Sequence, residues 1–345
     1  MLIKSFLFSC VLLFSFSMQA QKISNKTVPV IFDSDMGPDY DDVGAITMLH
    51  AYADSGQAKI LATIASTKYQ GVAGVFNVFN TYFSRPNIPI AVPRGKALEL
   101  RDTQHWTDSL LANYPHKIKS NDDVPDAVDL YRKILAGQPD RSVTVITVGF
   151  LTNLANLYQS KPDRYSALDG KALIKKKVKL LVCMAGKFPE GHEFNVREDA
   201  AASKIVYDNW ETPVILSGFE IGKKIKAGLP LINNGAIKNS PVKDAFRISI
   251  PLAAEDSAGR SSWDETAVLI AIKGYERWYS LKEGKIEVAE DGRNTWNDQG
   301  KGQFYIIEKQ PYQIVQSIIN EGIMHQPGPS RPPRRGGGKG KSKLI

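Results

Sequence analysis

The sequence predicts a single α/β domain with a central, mostly parallel sheet flanked by helices. Two observations carry that prediction. Short apolar runs of strand length alternate with longer stretches of helical spacing, the pattern of strands wound together through crossover helices. No internal repeat and no linker interrupts the chain between Lys22 and His325, so one large domain accounts for it.

The first strand is the run Val28 to Phe32, and it ends in acids. Asp33, Asp35, Asp39, Asp41 and Asp42 follow within ten residues, around a turn forced by Gly37-Pro38. Val43, Ile46, Leu49 and Ala53 then keep helical spacing until Ser55-Gly56 stops the helix. A strand Ile60 to Ala65, a helix from about Val72 to Ser84 closed by Pro86, and a strand Ile88 to Val92 come next. Ala97 to Pro125 is polar and reads as an irregular excursion. Winding resumes with a helix Ala127–Ala136 and a strand Val143–Val148. After Gly149-Phe-Leu-Thr152-Asn153 a helix ends near Pro162. Strands Val178 to Cys183 and Val214 to Gly218, and a helix opened by Ser261-Ser262-Trp263-Asp264, follow in turn.

The ends of the chain differ from this body. Residues 1–20 carry Lys4, an apolar run from Phe6 to Phe16 and small residues near Ala20, the pattern of a secretory signal peptide cleaved before Gln21. The run is too short for a membrane span, so an exported protein, periplasmic or secreted and without membrane insertion, is expected. Cys10 would leave with that peptide and Cys183 would stand alone, which excludes an intramolecular disulfide. The formal net charge is +8, but residues 326–345 hold six basic residues and no acid. Rich in Gly and Pro, they read as a disordered basic tail, either an arm for anionic polymer or a solvated end. The body between 21 and 325 is close to neutral and offers no nucleic-acid-binding surface.

Five carboxylates at the tip of a buried strand must face water or meet a cation. A hard divalent ion with oxygen ligands would account for them, as would an Asp-rich turn that caps the following helix. The run Asp33-Ser-Asp35-Met-Gly37…Asp41-Asp42-Val-Gly-Ala45 resembles the Asp-rich signature of the inosine-uridine-preferring nucleoside hydrolase family, with two extra residues before the Asp pair. The insertion leaves open which of Asp39, Asp41 and Asp42 fills each acidic role, and the alignment adopted rests on the Asp41-Asp42 pair. Val148-Gly149-Phe-Leu-Thr152-Asn153, Met184-Ala-Gly186 with Glu193-Phe-Asn195, and Trp263-Asp264-Glu-Thr-Ala267 are similar to later motifs of that family.

The resemblance implies a Rossmann-like nucleoside hydrolase fold and calcium-dependent cleavage of the N-glycosidic bond of a ribonucleoside or related N-riboside. Asp35, Asp42, Asp264 and the Val148 carbonyl would hold Ca²⁺, and Asp35 would also take a proton from the metal-bound water. Asp41, Glu193 and Asn195 would orient the ribose, with Met184 against the sugar ring. Members of the family commonly form homodimers or homotetramers, so a homo-oligomer is expected. The family's late histidine, thought to protonate the departing base, is Trp263 here. Its indole can stack on a flat ring but cannot give up a proton as an acid. Two other readings stand beside this one. The chain could be a binding protein that keeps metal and sugar contacts without turnover. Alternatively, Asp33-Ser-Asp35 could serve a haloacid-dehalogenase-type phosphatase with Asp33 as nucleophile.

Overall fold

The computed structural model describes residues 27–328, so the expected signal peptide and nearly all of the basic tail lie outside the described residues. Ten strands make the main sheet. They are β1 (Val28–Ser34), β2 (Ala58–Ala65), β3 (Ile90–Ala91), β4 (Val143–Thr147), β5 (Val178–Met184), β6 (Glu190–His192), β7 (Val214–Ser217), β10, β11 and β12. The last three are Tyr279–Val288, Arg293–Asn297 and Gln303–Glu308, while β8 (Lys226–Ala227) and β9 (Arg260–Ser261) pair separately. The order is β3-β2-β1-β4-β5-β7-β12-β10-β11-β6. The first seven run parallel. β10, β11 and β6 extend that sheet in antiparallel fashion.

β1 shows why the parallel part forms. Val30 and Phe32 pack into one core layer and Ile31 into the other, so both faces of the strand are dry. Helices Asp41–Asp54, Val72–Tyr82, Trp263–Lys273 and Tyr312–Ile323 bury the first layer, and helices Ala127–Ala136, Thr152–Gln159 and Ala200–Asn209 the second. From β1 the chain winds outward to β2 and β3, then returns to lay β4 on the other side of β1. The crevice beyond the carboxyl ends of β1 and β4 is thus a topological switch point, where such sheets bind ligands.

Two stretches differ from expectation. The polar excursion contains a helix, Trp106–Asn113, because Trp106 is fully buried and the Asp102 carboxylate accepts from the Thr107 amide and hydroxyl at its start. β3 covers only two residues of the expected five. Cys183 is free and buried. Among the described residues no helix is long and apolar enough to cross a membrane.

Candidate active site

The carboxyl end of β1 delivers Asp35 into a cavity of about 370 Å³, within the usual size of small-molecule sites. Gly149, just past β4, permits this: a Cβ there would stand 2.5 Å from the Asp35 amide nitrogen. Asp41 and Asp42 open the next helix, and Asp264 opens the helix Trp263–Lys273 packed against it. Carboxylate oxygens of Asp41, Asp42 and Asp264 lie within 4.8 Å of one another.

The three are not equivalent. Asp41 Oδ1 accepts from Nε and Nη2 of Arg260, at 3.0 and 2.8 Å. Its Oδ2 accepts from the amides of Trp263 and Asp264, at 3.2 and 3.3 Å. Asp41, expected to orient a sugar, lines the cavity with both oxygens engaged by these donors, and it staples the acidic loop to the late helix. Asp42 Oδ1 accepts from the Ser34 hydroxyl and the Met36 amide, whereas Oδ2 is buried without a partner. Asp35 Oδ2 is likewise buried and unpartnered.

Burial and mutual repulsion set the electrostatics. Burial, with Asp42, Asp39 and Asp41 nearby, holds Asp35 well above the usual carboxylate range. Burial and Asp41 push Asp42 up to about 8, and burial with Asp41, Asp42 and Asp35 raises Asp264. Burial would lower the Arg260 guanidinium, but Asp41, Asp39 and Asp256 hold it above its ordinary value, so it stays charged. One guanidinium cannot balance this many carboxylates. Unfilled, buried oxygens on Asp35 and Asp42, with the Asp264 carboxylate close to Asp42, suit a hard divalent cation. The Val148 carbonyl also lines the cavity and accepts only the Asn195 side-chain amide, at 3.0 Å.

The remaining expected residues come to the same cavity. Glu193 caps the helix Phe194–Glu198, taking the amides of Asn195, Gly186 and Val196. Asn195 donates to the carbonyls of Val148 and Met184. Met184 ends β5 and lines the cavity. Trp263 also lines it, but its ring stacks on Phe219, its Nε1 donates to the Phe219 carbonyl at 2.8 Å, and the Arg260 guanidinium lies 5.0 Å from its centroid. Its one polar atom is therefore spent inside the protein. Asp33 does not line the cavity. It is fully buried away from the cavity, with Oδ2 holding Tyr131 and Asn153 and Oδ1 unpartnered, so no substrate in the cavity meets it as a nucleophile. The phosphatase reading fails on that geometry.

The motifs did not disclose Arg260, Asp256, Tyr40 or Phe219. Arg260 meets Asp39 at 2.6 Å and lies 4.9 Å over the Tyr40 ring, while the Tyr40 hydroxyl donates to Asp256. The extra residues of the acidic loop thus have a matching partner in Arg260. Its nearness to Trp263 in sequence was the available signal. For Phe219 the signal was its place just beyond the strand Val214 to Gly218.

A family model described as "Inosine-uridine preferring nucleoside hydrolase" matches residues 30–320. A pyrimidine-specific ribonucleoside hydrolase of Salmonella agona (strain SL483) is 26% identical over 207 residues, 57% of this chain and 62% of that protein. The chain thus matches about three-fifths of the length of this curated relative. A plant nucleoside hydrolase superposes with a TM-score of 0.68 at 17% identity, covering 87% of this chain and 99% of the other. The nucleoside hydrolase of Bacillus anthracis gives 0.64 at 16% identity, covering 86% and 99%. At those identities the two structures speak for the fold.

Proposed function

The chain belongs to the inosine-uridine preferring nucleoside hydrolase family, and from that premise we propose that it hydrolyses the N-glycosidic bond of a ribonucleoside or close N-riboside. The observation that carries the reading is the pair of buried, unpartnered carboxylate oxygens on Asp35 and Asp42 at the switch point of the sheet. Asp42, Asp264, Asp35 and the Val148 carbonyl would hold the cation, and the mixture of carboxylate and carbonyl oxygens favours calcium. When bound, such an ion supplies positive charge that attracts sugar hydroxyls and makes nearby water more acidic.

The chain's own groups do the rest. Glu193 uses three of its roughly four lone-pair positions on backbone amides, which fixes the carboxylate and leaves one on Oε1 for a sugar hydroxyl. Asn195, anchored through its Nδ2 to two carbonyls, presents its Oδ1 beside it. Met184 closes the apolar side of the sugar site. Asp35 accepts the proton of the water that attacks the anomeric carbon, and the bond to the base breaks with its electron pair leaving on the base. Holding ribose and water together in this way can supply several kcal/mol of the barrier.

The test is incubation with uridine, cytidine, inosine and adenosine, with calcium or with a chelator, following free base and ribose by chromatography. Calcium-dependent ribose release that vanishes in Asp35→Ala supports the proposal. Calcium and ribose binding without release from any nucleoside would replace it with the non-catalytic reading.

A further inference from the structure

If the proposed hydrolysis occurs, the departing base needs a proton, and Trp263 cannot provide it. The other ionisable groups lining the cavity are carboxylates, two arginines and one histidine. The carboxylates Asp35, Asp41, Asp42 and Asp264 form the floor, Asp39 is paired with Arg260, and Glu193 is bound to backbone amides. A guanidinium does not release its proton in a protein, which removes Arg197 and Arg260. His192 is what remains.

His192 and Asp291 both lie exposed at the rim of the cavity, where strand pairing sets them side by side. His192 ends β6, the edge strand of the antiparallel extension, directly opposite Arg293 on β11. The turn between β10 and β11 places Asp291 beside it, with Nε2 of His192 3.5 Å from Asp291 Oδ2. The other oxygen, Oδ1, accepts from the Arg293 amide at 3.0 Å, so the carboxylate is fixed and Oδ2 is left for the imidazole. The neighbouring Arg293 guanidinium is taken by Glu190 at 2.7 Å and does not compete for Asp291. The Asp291 carboxylate faces Nε2 at ion-pair distance, and among the described residues no protein group hydrogen-bonds Nδ1, while the residue lines the cavity.

We propose that His192, oriented by Asp291, is the acid that protonates the departing base. As water attacks the anomeric carbon, the carbon–nitrogen bond breaks and its electron pair leaves with the base. The imidazolium gives its Nδ1 proton to the base and becomes neutral, keeping Nε2–H toward Asp291. Asp35 takes one proton from the water. Release of that proton to solvent and reprotonation of His192 from solvent complete the cycle, so water and N-riboside yield ribose and protonated base with nothing left over. Asp291 is a positioning residue in this scheme.

The experiment compares the best nucleoside with 4-nitrophenyl β-D-riboside, whose leaving group departs as a stable anion and needs no acid. His192→Gln should lower kcat for the nucleoside, relative to the 4-nitrophenyl riboside, by about 100-fold or more, the range of general acid catalysis. Asp291→Asn should shift the same ratio in the same direction by about tenfold, since it loosens the acid without removing it. Equal loss on both substrates would assign His192 a structural or binding role and overturn the proposal. An unchanged ratio would overturn it as well, while wild-type turnover left the hydrolase reading standing. A wild-type protein inactive on both substrates would remove the hydrolase reading and the acid with it.

Discussion

The floor and the wall of the cavity are held by different means. The floor consists of Asp35, Asp41, Asp42 and Asp264, all buried, set at the end of a central strand and at two helix starts, with oxygens fixed by amides, Ser34 and Arg260. The wall consists of Phe219 and Trp263, on a four-residue helix and a helix start. Rigid packing that still leaves oxygens on Asp35 and Asp42 unfilled suits the step proposed to be common to all substrates. Short elements at the rim suit the part of a substrate that varies. The difference teaches where chemistry and selectivity should separate.

Substitutions can break that contrast, beginning with the floor. Asp35→Asn should lower kcat by about 10³-fold through loss of the base, with circular dichroism and melting unchanged or improved. A fall below tenfold would show that the floor's carboxylate does not act on a proton. Arg260→Met should cost about 3–5 kcal/mol in denaturant unfolding, because Asp41 is left buried without its counter-charge. Asp41→Asn in the same chain should restore part of that loss, and the absence of any recovery would contradict the staple.

The cation supplies the next effect. The carboxylates of the floor have folded pKa values raised above their unfolded values, Asp42 to about 8. The cation-free protein therefore keeps this contribution below about pH 4 and loses it as the pH rises toward 8. Calcium at 100 times its dissociation constant should add about 2.7 kcal/mol. Because protons compete for the same oxygens, the melting shift should be larger at pH 8 than at pH 5. Equal shifts at the two values would place the ion elsewhere. The wall gives the smallest change. Phe219→Leu should alter the ranking among bases by about 0.5–1.5 kcal/mol through KM, leaving kcat on the preferred ribosides nearly as it was. A loss confined to kcat would move Phe219 into the chemistry.

The same contrast explains what the sequence disclosed. The wound half of the sheet was legible because its strands are buried on both faces and read as apolar runs, and the floor was legible because its acids stand in contiguous motifs directly after them. β10, Tyr-Ser-Leu-Lys-Glu-Gly-Lys-Ile-Glu-Val, has a largely wet face and charges at the positions that would mark a loop, and nothing local announces it. The partnership of His192 with Asp291 depends on that strand's pairing and was hidden with it. Arg260 was invisible for another reason: its partners Asp39, Tyr40 and Asp41 lie at the opposite end of the domain in sequence.

That separation has a consequence for how the chain reaches its finished state. The contact between Arg260 and Asp41 joins residues 219 positions apart, and the carboxylates at one end face a buried partner only after the other end has docked. Closing so long a loop is entropically slow, and until it closes the acidic turn repels itself in open solvent. Cation affinity should thus arrive late in refolding, together with the native packing of the helix Trp263–Lys273 on the helix Asp41–Asp54. The metal centre would then act as a clock for completion, registering the last long-range closure and ignoring the earlier assembly of the sheet.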